Sequence, residues 1–152
     1  MLKIFTKLPV VLVLIFISLM FVVDEVNILP SYTFKYKLIF SLIIFFSGVL
    51  IILIAGYSFK KAQTTVNPMT PEKTTQLVKT GIYKYSRNPM YIGFTAWLLA
   101  CVVFIGNPAH LLLPPLYVLL VNKLYIVPEE NALEKLFKQE FTQYKSRVRR
   151  WL

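Results

Sequence analysis

LVKTGIYKYSRNPMYIG, residues 77–93, is the stretch from which the rest of the chain is best read. It lies between a polar connector and an apolar run. It gathers Tyr83, Tyr85, Arg87, Asn88, Pro89, Tyr91 and Gly93 into one short span. Asn88 before Pro89 predicts a helix start: asparagine can cap the first turn with its side-chain oxygen, and proline at the first helical position gives up no needed hydrogen bond. The N–H groups that follow are expected to be unpaired and partly positive, a seat for a carboxylate or phosphate. Arg87 adds a full charge beside them, and the tyrosines offer ring faces to a cation or a flat base. The plainer alternative is an arginine–tyrosine belt at the end of a membrane helix.

Working outward, the composition places this stretch in a membrane protein. Of the 152 residues, 57% are hydrophobic, and the mean hydropathy is +0.62. Soluble domains average about 45–50% apolar residues, and a chain of this size has no core large enough for the excess. The length fits one domain. Lys+Arg total 17 against 7 for Asp+Glu, a net charge of +10. Because the bases flank apolar runs, anionic lipid headgroups are the expected partner, and nucleic acid is not. The single cysteine, Cys101, excludes an internal disulfide and a cysteine-based metal cluster. No metal site is expected.

Four apolar runs follow in order: Leu8–Val23, Leu38–Tyr57, Met90–Ile105 and Leu111–Val127. The first, behind Lys3 and Lys7, resembles a signal peptide, but SLMFVV (residues 18–23) has no small-x-small cleavage pattern, so a retained spanning helix is expected. Gly48 and Gly56 allow close helix contact in the second run. Pro68 and Pro71 break the polar connector, and Gly106, Asn107 and Pro108 mark a tight turn. His110, next to that turn, is expected at the membrane interface. The basic segments collect on one side if both termini are cytoplasmic, as the positive-inside rule prefers.

After Val127, residues Leu133, Leu136, Phe137, Phe141, Tyr144, Val148 and Trp151 recur at three- and four-residue steps among Lys135, Lys138, Lys145, Arg147, Arg149 and Arg150. This pattern suits a basic amphipathic helix lying on the membrane face. The fold expected is all-α and integral to the membrane, with about four transmembrane helices and a C-terminal amphipathic interfacial helix. Residues 1–152 form a single membrane domain. Within it, 1–57 hold two N-terminal spans, 58–89 a cytoplasmic connector, 90–127 a transmembrane hairpin and 128–152 the amphipathic tail.

Glu129 and Glu130 follow directly on the fourth run, where acids near lipid are costly and tend to be paired or functional. On a regular helix Asn122, Tyr125 or Ile126, and Glu129 share one face, and Lys123, Val127 and Glu130 the next. Folding back at Gly106–Pro108 is expected to bring both glutamates beside Arg87, Asn88 and Tyr91. The pocket so formed would have anion- and cation-binding walls. The structural alternative is an ion pair between Arg87 and a glutamate that pins the hairpin.

LVKTGIYKYSRNPMYIG, then PEENAL (residues 128–133), then a closing VRRWL (residues 148–152), resembles the isoprenylcysteine carboxyl methyltransferase and phospholipid methyltransferase superfamily. That pattern is roughly G-x-Y-x-x-x-R-H-P-x-Y-x-G, a helical hairpin, E-E-x-x-L and a basic tail. The resemblance covers about the last half of the chain. It implies S-adenosylmethionine as cofactor, with Leu77, Val78 and Tyr83 lining it and Asn88, Pro89, Met90 and Tyr91 forming its helix-start cradle. Glu129 would reach its polar groups, and Arg87 and Glu130 would be the catalytic residues. It further implies methyl transfer to a lipophilic acceptor that enters from the bilayer at the cytoplasmic face. The acceptor could be a lipid amine, a thiol or a carboxylate. A multi-pass protein of the bacterial inner membrane is expected.

Three positions depart from the pattern. Asn88 replaces the usual histidine and cannot serve as a titrating base. Lys138 stands where glycine often follows the phenylalanine, here Phe137. Tyr125 stands where isoprenylcysteine enzymes carry a substrate-associated arginine, which argues against a prenyl-protein carboxylate as acceptor. Two other readings remain. One is an NADPH-dependent enzyme like the sterol reductases, which would want more arginines in the pocket. The other is a non-catalytic membrane protein such as a scaffold or small transporter, which would place polar groups at mid-membrane.

Overall fold

Val13, Phe16 and Met20 recur at helical spacing and are the buried residues of the first helix, α1 (Pro9–Glu25), while Leu14, Ile15, Leu19, Phe21 and Val22 point outward. The helix is thus apolar on its outer surface as well as along its inward stripe. The computed structural model describes residues 9–26, 29–63 and 75–152; the basic start at residues 1–8, and Pro68 and Pro71 of the connector, lie outside them. Among the described residues there are helices and no strands. Helix α2 spans Lys37–Lys61, α3 Pro89–Ile105, α4 Leu113–Val121 and α5 Val127–Arg147, with a short 3₁₀ turn at Gly81–Lys84 and another at Pro108–Leu112.

Helices α2 and α3 make the most extensive contact in the molecule. The buried residues of α2 are Ser41, Gly48 and Ala55, small residues at seven-residue steps. They allow the backbone of α3 to approach closely, as small residues do in membrane helix pairs. A Cβ on Gly48 would lie 2.7 Å from the Gly93 carbonyl oxygen, and one on Gly93 2.7 Å from that of Gly48. Gly56, also expected to serve close contact, meets only the Met90 side chain at ordinary distance. The closeness therefore comes from Gly48 facing Gly93.

The chain folds back after α3 through Gly106, whose φ of 79° lies in the left-handed region and where a Cβ would collide with the Tyr32 carbonyl. Asn107 ties this end together. Its Nδ2 donates to Asp24 Oδ1 and to the Leu29 carbonyl, both at 3.1 Å, while its Oδ1 accepts from the Ala109 N–H. His110, beside this turn, is fully buried within the protein. The 3₁₀ turn rotates it inward.

The run from Pro108 to Arg147 is one continuous 40-residue helical path, and it and Lys37–Lys61 are long and apolar enough to cross a bilayer. Helices α1 and α3, at 17 residues each, are shorter than the roughly 20 that a span requires. The segment after Val127 forms the helix α5, which follows on α4 without a break in the helical path. It continues α4 through a π-helical turn at Asn122–Ile126, in which the Val127 N–H reaches back to the Asn122 carbonyl. Pro128 accounts for the turn. Proline lacks an N–H and its ring crowds the carbonyl four residues back, and one wider turn absorbs both defects. The wider turn also shifts the face assignment expected from regular helical spacing, so that Tyr125 and Ile126 are both buried.

Helix α5 bends at Lys138, whose φ of 44° and ψ of −116° are non-helical. This is the position where the sequence pattern leads one to expect glycine. Beyond the bend Phe141 and Tyr144 are buried, whereas Leu136 before it is exposed. The apolar stripe of the tail is therefore divided, and its second half packs on the protein. Because a Cβ is disfavoured at this backbone conformation, Lys138→Gly is expected to raise stability by about 1 kcal/mol net of the lower helix propensity of glycine. A lower unfolding midpoint in detergent for that variant would show that Lys138 carries no strain.

Candidate functional site

Pro89 begins α3 as expected, but Asn88 does not cap it with its side chain. Its Nδ2 donates to the Arg150 carbonyl at 3.0 Å, and its backbone N–H donates to Ser86 Oγ at 3.1 Å. The Asn88 carbonyl accepts from the Tyr91 and Ile92 N–H groups. The helix entrance is therefore less open than the residue pattern suggests. Donors there turn to the end of the chain: the Arg87 N–H also donates to the Arg149 carbonyl at 3.0 Å, and Ser86 Oγ to that of Arg150 at 3.2 Å.

The fold-back at residues 106–108 brings the glutamates to this entrance. Arg87 Nη2 lies 3.0 Å from Glu130 Oε1, with both side chains about nine-tenths buried. Arg150 takes the same carboxylate as a fork, Nε to Oε1 at 3.1 Å and Nη2 to Oε2 at 2.6 Å. Hydrogen bonding to Glu130 pushes the Arg150 guanidinium up from its already high ordinary range. Two cations on one anion leave the cluster with a surplus positive charge. The Nε–H of Arg87 is buried and, among the described residues, has no hydrogen-bond partner.

Glu129, one residue earlier, faces a different wall. It is half-buried, and among the described residues no lysine or arginine pairs with it. The Tyr91 hydroxyl makes a long contact with its Oε2 at 3.5 Å. The rings of Tyr91 and Tyr125 lie 6.4 Å apart. Burial pushes the Tyr83 phenol up from its ordinary range, and the Glu129 carboxylate acts in the same direction. A carboxylate without a cation, bordered by tyrosine rings, is a setting for an ammonium or sulfonium.

The other candidate residues divide between two packing clusters. Val78, Tyr83 and Met90 pack with Ala55 and Phe59 at the end of α2, while Tyr91 belongs to the main core with Phe94, Leu98 and Tyr117. Leu77 is half-buried and belongs to neither. Tyr144 ties α5 to the second cluster: its hydroxyl donates to the Tyr83 carbonyl at 2.7 Å. Residue patterns alone do not bring Ser86, Tyr144, Arg150 and Trp151 to this site. The VRRWL ending carried a signal, since an arginine pair bounded by valine and tryptophan suits a segment that is partly packed.

A family model described as phospholipid methyltransferase matches residues 36–140. The protein-S-isoprenylcysteine O-methyltransferase of Saccharomyces cerevisiae is 33% identical over 97 residues, covering 62% of this chain and 38% of that one. The enzyme of the same name from Schizosaccharomyces pombe is 36% identical over 72 residues, 47% of this chain and 30% of that one. Protein-S-isoprenylcysteine O-methyltransferase B of Arabidopsis thaliana is 30% identical over 97 residues, 64% of this chain and 47% of that one. The aligned region thus spans less than half the length of each of these relatives. No solved structure matches the chain. Because the family match runs from the start of α2 through the helix entrance and past both glutamates, the chain belongs to the phospholipid methyltransferase family.

Proposed function

We propose that the chain is an S-adenosylmethionine-dependent integral membrane methyltransferase that acts on a lipophilic acceptor at the cytoplasmic face. The observation that carries this reading is the adjacency of two opposite imbalances. Among the described residues Glu129 has no cationic partner, and the Arg87–Glu130–Arg150 cluster has one cation too many. The residues present fit a zwitterionic sulfonium nucleoside. The unpartnered Arg87 Nε–H suits its carboxylate, and Glu129 with the Tyr83 and Tyr91 rings suits its cationic and hydroxyl groups. When bound, the cofactor supplies a methyl group already activated for transfer.

The chain's own task is then positioning, which can supply much of the rate when nucleophile and carbon are held in line. Both oxygens of Glu130 are engaged by arginines, so in this reading Glu130 orients Arg87 and does not take up a proton. Asn88 holds the chain end. Val78, Met90 and Pro89 supply apolar walls, and Leu77 flanks them. The acceptor enters sideways from the bilayer. In the same reading α1 and α3 also cross the membrane, giving four spans with both termini cytoplasmic, in a bacterial inner membrane. Exposed Lys60, Lys61, Lys84 and Arg147 meet anionic headgroups.

Calorimetric titration of the protein in detergent with S-adenosylmethionine tests the reading, with NADPH as comparison. Binding of the first and not the second is expected, and no heat at millimolar cofactor overturns the assignment. Glu129→Gln is expected to weaken binding by roughly tenfold, the cost of removing one charged partner. Unchanged affinity in that variant places the cation-binding wall elsewhere.

A further inference from the structure

The chain end beyond α5 is extended at Val148 and returns to the site as a strap. Its residues 149 to 151 together touch three parts of the site. The Arg149 carbonyl holds the Arg87 N–H, and the Arg150 carbonyl holds Ser86 and Asn88. The Arg150 guanidinium grips Glu130, and Trp151 Nε1 donates to Asn122 Oδ1 at 3.2 Å in the π-helical turn. The strap therefore fixes the entrance of α3, the start of α5 and the π turn relative to one another.

The grip on Glu130 has a chemical consequence. An arginine and a carboxylate left to themselves favour a two-pronged pair through parallel N–H donors. Here Arg150 holds that arrangement, on both oxygens of Glu130. Arg87 is left with a single contact through Nη2, and its Nε–H stays buried and unpartnered. A buried donor without a partner is costly and calls for an occupant.

We infer that Arg150 is a positioning residue: by occupying the fork of Glu130 it keeps the Arg87 Nε–H directed to a ligand carboxylate. The inference rests on the methyltransferase reading above, in which that carboxylate belongs to S-adenosylmethionine. Arg150 does not touch the cofactor in this scheme. It acts through Glu130 and Arg87.

The test uses the full chain in detergent and reads two quantities separately, the Kd for S-adenosylmethionine and the unfolding midpoint. Arg150→Ala is expected to raise the Kd by about tenfold, the scale of one charged hydrogen bond misdirected. Arg150→Lys keeps the charge without the fork and is expected to fall between the two. Added guanidinium is expected to restore the affinity of Arg150→Ala, a rescue that a merely structural loss would not show. Lys79→Ala, which breaks an exposed ion pair with Glu140, is expected to leave the Kd unchanged. Wild-type affinity with an unaffected Arg150→Ala overturns this inference alone, as does weakened binding that guanidinium does not restore. A wild-type chain without affinity overturns the methyltransferase reading and this inference with it.

Discussion

Glu130→Ala is expected to destabilise the folded chain by about 3–5 kcal/mol, the range found when one partner of a buried ion pair is removed. The carboxylate and Arg87 are 10% and 11% exposed. Removing it leaves two guanidiniums facing each other with no anion between them. Arg150 is 36% exposed, so water screens much of its share, and most of the loss comes from Arg87. Glu130→Gln keeps the volume and part of the hydrogen bonding and is expected to lose less. The measurement is the unfolding midpoint in detergent, compared with Lys79→Ala, whose exposed pair is worth less than about 1 kcal/mol. Equal losses in Glu130→Ala and Lys79→Ala would show that the arginine clamp is not closed in the folded protein.

Gly93→Leu is expected to have the other large effect, through backbone separation and not through charge. A Cβ at Gly93 would lie 2.5 Å from Ile52 Cγ1 and 2.7 Å from the Gly48 carbonyl oxygen. A side chain can rotate away, but a carbonyl in the middle of α2 moves only with its helix. Overpacking a core typically costs about 1–3 kcal/mol, and a contact against a backbone carbonyl belongs at the upper end. Tyr91 and Asn88 lie within five residues of Gly93 on the same helix. Prising α3 from α2 therefore also displaces the entrance of the site. Loss of monodisperse protein in detergent, or a midpoint several degrees lower, is the expected outcome. Gly56→Ala serves as the comparison, because its Cβ would make only ordinary contact with Met90. If Gly93→Leu matches it in stability, the close crossing does not exist.

Much of this architecture is local in origin. Pro89 starts α3 because its fixed φ and missing N–H suit a first helical position. Gly106 ends the helix because only glycine tolerates its left-handed backbone so close to the Tyr32 carbonyl. A turn of that kind forces α3 and the following helix into a hairpin, and so the meeting of Arg87 with Glu130 could be expected from spacing. The cap on Asn88 could not be judged that way. Its amide has a local partner in the helix N–H groups and a distant one in the Arg150 carbonyl, 62 residues away, and the distant one prevails.

His110 and the tail show the same division. Position beside a turn says nothing of whether His110 packs inside the protein, and the 3₁₀ turn buries it there. The basic stripe after Val127 looks independent of the apolar hairpin before it. Pro128 and the wide turn before it instead join the two into one path, and the bend at Lys138 turns Phe141 and Tyr144 onto the protein.

By itself the sequence determined that the chain is helical and strongly apolar, where α3 starts and turns back, and that a glutamate returns to an arginine at that helix entrance. Those features follow from hydrophobic period, proline and glycine geometry and chain length, all properties of neighbouring residues. Only the tertiary structure decided which arginine holds the fork of Glu130, what covers the helix entrance and which glutamate is left without a cation. These are competitions between partners far apart in sequence, and they are settled by which groups the packing of α2, α3 and the chain end brings within hydrogen-bonding distance.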